Sequence, residues 1–362
     1  MKILAIHAAA GAGHTKAAEA VANLLKASPG GPQVVFADAL DYTSQFYKNS
    51  YQKTYTILVT KFPWAWGFVF WLTDLPCMQS FVRASRRIFN EINAKKLNRF
   101  LIAEQFDYIV STHFFPHEVA SSLKKQGLIK SKIICVVTDF DAHRIWLADG
   151  VDKYAVACEY TQNKLLELGV EREKIFVTGI PTDDKFSNHP DREALKDKLQ
   201  IKKGVFTVLL ATGSFGMGPL EEIAQALCDY QVLVVCGRNQ ELFERLSKKN
   251  LPGVKVFGLV NNMNELMAVA DVMVTKPGGL SICEALVSKL PLILICPIPG
   301  QEMNNVLVLR SYGIGSSSTQ LKDVIAELKK LSSNPEYLLS AKGRTKSLAR
   351  PFATSDIIKL II

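Results

Sequence analysis

The chain has 362 residues, 48% of them hydrophobic and 21% charged, which is enough for two ordinary domains with separate cores and too apolar for a disordered chain. The glycines follow no collagen period, and the longest apolar stretch (57–72) is only 16 residues and is broken by Thr60, Lys61 and Pro63, which argues against a bilayer-spanning segment of about 20 residues. Of the net charge of +9, residues 41–100 carry +6, nine Lys/Arg against Asp41, Asp74 and Glu91, so an anionic partner is expected there.

Residues 2–8 form a short apolar run that predicts a buried strand, followed by a glycine loop and a helical pattern over 15–26. No signal peptide is read at the start. Runs at 34–37, 108–111, 133–138 and 154–157 predict further buried strands separated by helices. This alternation implies a parallel, doubly wound α/β sheet. A second series follows at 205–211, 232–236, 254–257, 272–275 and 292–296. Two Rossmann-like domains are therefore expected, 1–178 and 182–345, with the break where Gly179, Pro181 and Pro190 interrupt the pattern. Seven scattered cysteines, several inside strand-like runs and none in CxxC spacing, support neither a disulfide framework nor a zinc site and point to a reducing cytosol.

Residues 42–100 break the alternation. Trp64, Trp66, Phe68, Phe70 and Trp71 lie between Lys61 and Arg83, and Arg86 and Arg87 follow. One reading is a helical pair whose aromatics fill a local core. The other is an interfacial segment, with aromatic rings at headgroup depth and basic groups on anionic lipid. The apolar cluster is too dense for a phosphate-tracking groove, so no nucleic acid is expected.

Four loops carry chemistry. Gly11-Ala12-Gly13-His14 has Lys16 where a dinucleotide fingerprint needs its third glycine, and the chain has no Walker A sequence. What remains is a glycine turn presenting His14 at the carboxyl edge of a sheet, where such sheets bind ligands. A histidine there can accept a proton near neutral pH or merely cap the helix. Asp139 and His143 follow the strand at 133–138 and face the same edge; Asp139 can orient His14 or serve as the base itself. His113 and His117 are candidates for acceptor contacts or for structural roles. The second loop, 212–218, brings Gly213, Ser214, Gly216 and Gly218 before Pro219, which suits a first helical position. The third, Lys276-Pro277-Gly278-Gly279-Leu280-Ser281, makes another phosphate cradle, with Glu284 one turn on and able to chelate a diol. The fourth, 297–305, offers Gln301, Glu302 and Asn305 to a polyhydroxylated ligand.

Together these loops resemble the GT-B glycosyltransferases, in particular monogalactosyldiacylglycerol synthases and processive diacylglycerol glucosyltransferases, relatives of the peptidoglycan N-acetylglucosaminyltransferase. The resemblance runs over nearly the whole chain through GAGHTKAAEAV (11–21), VVTDFDAHRIW (136–146), VTGIP (177–181), CGRN (236–239), VTKPGGLSICEAL (274–286) and PGQEMNN (299–305). It implies two Rossmann-like domains facing a central cleft, with 346–362 crossing back onto the first. It implies an inverting transfer of hexose from a UDP-sugar to a lipid acceptor, diacylglycerol or another, giving a β-glycoside. Uracil would meet the backbone around Val260, and Glu284 would chelate the ribose. Gly213, Ser214, Gly278, Gly279, Leu280 and Ser281 would lie at the diphosphate, and Gln301, Glu302 and Asn305 would hold the hexose. His14, beside Gly13, would act as base with Asp139 near it. Trp64, Trp66, Trp71, Arg83, Arg86, Arg87 and His113 would meet acceptor and membrane. No metal or other cofactor is implied, because loop amides and a helix dipole would stabilise the leaving diphosphate. The expected location is cytoplasmic, peripheral on the cytoplasmic face of the cell membrane. Glucose, galactose and N-acetylglucosamine all stay open as the sugar. A UDP-N-acetylglucosamine epimerase and a non-enzymatic sugar-nucleotide sensor are the competing readings; the aromatic basic segment disfavours the first and His14 the second.

Overall fold

The computed structural model describes residues 1–9, 11–28, 30–188 and 190–361, with Gln52 described by its backbone alone; position 362 of the closing segment lies outside them. It divides into two compact units. The first comprises Met1–Asp183, Ile298–Asn304 and Phe352–Ile362, and the second Asp184–Pro297 and Asn305–Pro351.

The first unit is built on six parallel strands: β1 (Lys2–His7), β2 (Gln33–Asp38), β3 (Tyr108–Ser111), β4 (Lys132–Val136), β5 (Lys153–Val156) and β6 (Ile175–Val177), in the order β2-β1-β3-β4-β5-β6. Its helices are α1 (Ala12–Ala27), α2 (Gln45–Lys61), α3 (Pro63–Asp74), α4 (Gln79–Asn93), α5 (Lys95–Glu104), α6 (Phe114–Lys125) and α7 (Glu159–Glu167). The strands are apolar on both faces because helices cover both. One layer packs Leu4, Ile6, Ile109 and Ile133 with Leu97, Leu101 and Phe115. The other packs Ile3, Val110 and Ile134 with Val21 and Leu25 of α1 and with Ile357 and Ile361 from the end of the chain. The chain runs one way from β1 to β2 and the other way from β3 onward. The switch point, where a crevice opens at the carboxyl ends, therefore lies between β1 and β3.

The second unit repeats the plan with β7 (Thr207–Ala211), β8 (Gln231–Val235), β9 (Val254–Phe257), β10 (Val272–Thr275), β11 (Leu292–Ile295) and β12 (Ser316–Ser318), in the order β12-β11-β10-β7-β8-β9. Between and after them run α8 (Arg192–Lys198), α9 (Leu220–Ala226), α10 (Gln240–Lys249), α11 (Met263–Val269), α12 (Gly279–Val287), α13 (Gln301–Ser311), whose residues up to Asn304 count with the first unit, α14 (Leu321–Ser333) and α15 (Pro335–Thr345). Its core joins Val208, Leu210, Val232, Val234 and Val272 to Leu220, Leu242, Leu246 and Leu328. The switch point here is between β7 and β10, so the loops after those two strands border one crevice.

Two expectations are corrected at this level. The helix after β1 starts at Ala12, not Thr15, because Gly11 takes the extended N-cap conformation (φ −155°, ψ 164°). His14 is thus the third residue of α1. Pro219 precedes the seven-residue α9 instead of opening it.

Candidate functional site

At the first switch point the imidazole of His14 reaches across from β1's helix to β3. Its Nδ1 lies 2.8 Å from the carbonyl oxygen of Thr112 and 2.9 Å from Oγ1 of Thr138. A carbonyl oxygen only accepts, so Nδ1 carries the proton and Nε2 the lone pair. Thr112 returns a hydrogen bond from its hydroxyl to the carbonyl of His14 at 2.8 Å. Burial lowers the pKa of His14 to about 4, so the ring is neutral at physiological pH. The orientation expected of Asp139 is performed by Thr112 and Thr138. Gly13 sits in the same first turn of α1.

His113 does not face outward. It is buried, caps α6 by accepting from the Phe115 amide at Nδ1, and meets the His14 ring edge-on with centroids 4.8 Å apart. Burial holds it well below 6.5. The surface contact with an acceptor expected of it is corrected: its ring packs behind that of His14. His117 is likewise buried, with Nε2 donating to the Trp146 carbonyl at 3.1 Å. His143 accepts from the Ile145 amide and donates to the Phe70 carbonyl at 2.9 Å, tying α3 to the loop after β4.

Asp139 is buried, and its Oδ1 accepts from Nε2 of Gln301 at 2.8 Å; Oδ2 of Asp141 accepts from Nδ2 of Asn304 at 2.7 Å. Glu302 turns back to accept from the Ile298 amide at 2.8 Å. This stretch is pressed against α3. A Cβ on Gly67 would lie 2.7 Å from Pro299, and one on Gly300 2.6 Å from the Phe70 ring.

In the second unit, the loop after β7 turns at Gly213, Gly216 and Gly218, all with positive φ. A Cβ on Gly216 would fall 2.1 Å from the Cys236 carbonyl, so only glycine fits; over Gly213 there is open space. Ser214 accepts from the Arg238 amide, and the buried Oγ1 of Thr212 has no partner. Across the switch point, Gly278 caps α12 without a side chain, which leaves the first-turn amides of Gly279, Leu280 and Ser281 as donors. Glu284 follows in the second turn, and Val260 lies in the loop after β9. Asn305 is fully buried and donates to the Pro277 carbonyl at 3.0 Å. Its expected contact with a hexose is corrected: it braces the glycine loop. Among the described residues no three His, Cys, Asp or Glu side chains gather to hold a metal ion.

The 42–100 segment is helical, with some of its aromatic side chains packed inward and others exposed. Trp66 faces inward, edge-on to Tyr55 at 5.3 Å. Trp64, Phe68 and Trp71, at i, i+4 and i+7 of α3, are exposed by 72%, 56% and 55%. On α4 the usual arrangement is reversed. Phe81, Ile88 and Ile92 share the solvent face, whereas Arg86 and Asn90 point inward to Glu118. Arg86 pairs with that carboxylate at 2.7 Å and donates to the Ile145 carbonyl, so it is corrected from a membrane contact to an internal tie. Arg87 stays on the surface with Glu91, and Arg83 lies 4.0 Å from Asp149. No helix among the described residues is long and apolar enough to cross a membrane.

Residues 14–182 match the family model of monogalactosyldiacylglycerol synthase, and residues 216–357 that of the glycosyltransferase family 28 C-terminal domain. A processive diacylglycerol beta-glucosyltransferase of Bacillus cereus is 34% identical over 275 residues, 74% of this chain and 70% of that protein. The chain belongs to this glycosyltransferase family. Its GT-B fold is shared with Acinetobacter baumannii MurG (TM-score 0.65, 15% identity, 99% of both chains). It is shared too with the Neisseria meningitidis UDP-GlcNAc 2-epimerase (TM-score 0.62, 12% identity, 100% and 99%). At such identities these two likenesses concern the fold alone. Within the family frame, the residues that sequence reasoning missed are Thr112, Thr138 and Asn304.

Proposed function

We propose that this enzyme transfers glucose from UDP-glucose to the hydroxyl of a diacylglycerol-type lipid, with inversion, at an anionic membrane on its cytoplasmic face. The observation that carries the reading is the His14 imidazole, neutral, fixed through Nδ1 and carrying its lone pair on Nε2 at a switch point. In the proposed reaction the acceptor hydroxyl gives its proton to Nε2 as its oxygen attacks C1 of the α-linked sugar from the opposite face. The C1–O bond to UDP breaks, and the bond formed is a β-glycoside. The amides of the loop after β7 and of the first turn of α12 would take up the diphosphate charge, and Glu284 the ribose diol. No divalent metal is needed for that neutralisation. Glucose is favoured by the name of the Bacillus cereus relative. The outward apolar faces of α3 and α4, with Arg83, Arg87, Lys95, Lys96 and Arg99 nearby in sequence, suit a surface of apolar chains under anionic headgroups.

The test is incubation with radiolabelled UDP-glucose, UDP-galactose and UDP-N-acetylglucosamine in mixed vesicles containing diacylglycerol, with EDTA, and assignment of the product anomer by NMR. A β-glucolipid is the expected product. An α-glycoside would remove the single-displacement mechanism, and free UDP-sugar isomerisation without lipid product would favour the epimerase.

A further inference from the structure

The segment 138–141 does two things with adjacent residues. Thr138 holds the base, and Asp139 and Asp141 hold Gln301 and Asn304. The two pairs run side by side: positions 139 and 141, on the bend after β4, meet positions 301 and 304, one turn apart at the start of α13. Asp139 is only 6% exposed, and a carboxylate can only accept. The amide of Gln301 is therefore locked with its NH2 toward Asp139 and its Oε1 turned away. Gly300 and Pro299, packed against Phe70 and Gly67, leave this turn little freedom to shift.

We propose that Asp139 is a positioning residue for the donor sugar: it fixes Gln301 so that Oε1, an acceptor, meets a hydroxyl of the hexose. The Asp141–Asn304 pair holds the turn in register. Hexose selectivity is then written partly in the loop after β4, one residue from the group that orients His14. An amide pinned this way satisfies a hydroxyl that donates toward it and leaves its oxygen unpaired when an epimer places that hydroxyl elsewhere. The inference rests on the UDP-sugar reading given above.

A double-mutant cycle tests it. Asp139→Asn keeps the shape but lets the two amides exchange donor and acceptor, which turns NH2 outward at Gln301. The expected result is a rise of about tenfold in KM for UDP-glucose, a much smaller change in kcat, and a loss of discrimination between UDP-glucose and UDP-galactose. The Kd of UDP, which has no hexose, should be unchanged by calorimetry. In a Gln301→Ala background, Asp139→Asn should add nothing to KM or selectivity. Should Asp139→Asn fold poorly, Gln301→Glu, which sets two carboxylates face to face, should give the same loss with UDP binding intact. A fall in kcat from Asp139→Asn that persists in the Gln301→Ala background, with KM unmoved, would overturn the proposal and make Asp139 the base. Failure of the wild-type protein to bind UDP would instead bring down the donor reading itself.

Discussion

The Nδ1 of His14 lies 2.8 Å from the carbonyl oxygen of Thr112, a residue 98 positions away in sequence and on the neighbouring strand's end. That one contact selects the tautomer and leaves the lone pair on Nε2. His14→Ala should lower kcat by about 10² to 10⁴ while UDP affinity stays constant, since a base acts on the acceptor. Thr138→Val, which removes only the hydroxyl at 2.9 Å, should cost about fivefold to tenfold. Steady-state rates and UDP calorimetry on both variants check this, and near-wild-type turnover in His14→Ala would exclude it as the base.

The pH dependence follows from burial. The folded-state pKa of His14 is lowered to about 4, and burial lowers those of His113, His117 and His143 as well. Below about pH 6.5 the unfolded chain takes up protons that the folded chain refuses, so stability present above 6.5 is lost as the pH falls toward 4. The urea midpoint should therefore drop between pH 7 and 5, and the acid limb of kcat/KM should lie well below 6.5. A midpoint that rises on acidification would contradict the burial of these rings.

Arg86 and Glu118 form a shielded pair, with side chains 18% and 21% exposed. Arg86→Ala strands a carboxylate and should destabilise the protein by about 3 kcal/mol. Arg87→Ala, on the surface, should change stability by less than about 1 kcal/mol. Denaturant melts separate them, and equal effects would mean that the inward tie contributes nothing special.

Membrane binding is expected to depend on the outward residues alone. Trp64→Glu and Ile88→Glu should each reduce sedimentation with anionic vesicles, and raised salt should weaken wild-type binding. Binding to neutral and anionic vesicles with equal strength at every salt concentration would remove the charge argument.

Glu284→Ala should weaken UDP binding by a few kcal/mol, the loss of two charge-assisted hydrogen bonds, and EDTA should leave wild-type binding intact. Unchanged affinity in the variant would take Glu284 out of the donor site; loss of binding in EDTA would overturn the metal-free mechanism.

The strands that sequence patterning located, β3, β9 and β10 to the residue, are runs with strong apolar signal between clear breaks. β6 is apolar but too short to stand out, and β12 carries no such signal. One is three residues long, and the other is Ser316–Ser318, an edge strand that needs no hydrophobic side chains. His14 was legible because a glycine turn after a first strand puts it at a sheet edge. Thr112 and Thr138 were not, because their contacts to it span 98 and 124 residues and depend on strand order. Arg86 could have been read correctly: Val82, Arg86, Asn90 and Asn93 fall on one side of a helical wheel, opposite Phe81, Ile88 and Ile92. Charge alone hid that geometry.

A helix fastened to its protein by an arginine, an asparagine and a glutamate, with its oily side outward, has consequences at the bench. In water, the outer faces of α3 and α4 offer neighbouring molecules a ready apolar contact, and copies are expected to cluster through it. Mild detergent micelles should disperse such clusters. The recovery of single molecules during purification would thus report on the same surface that is proposed to meet the membrane.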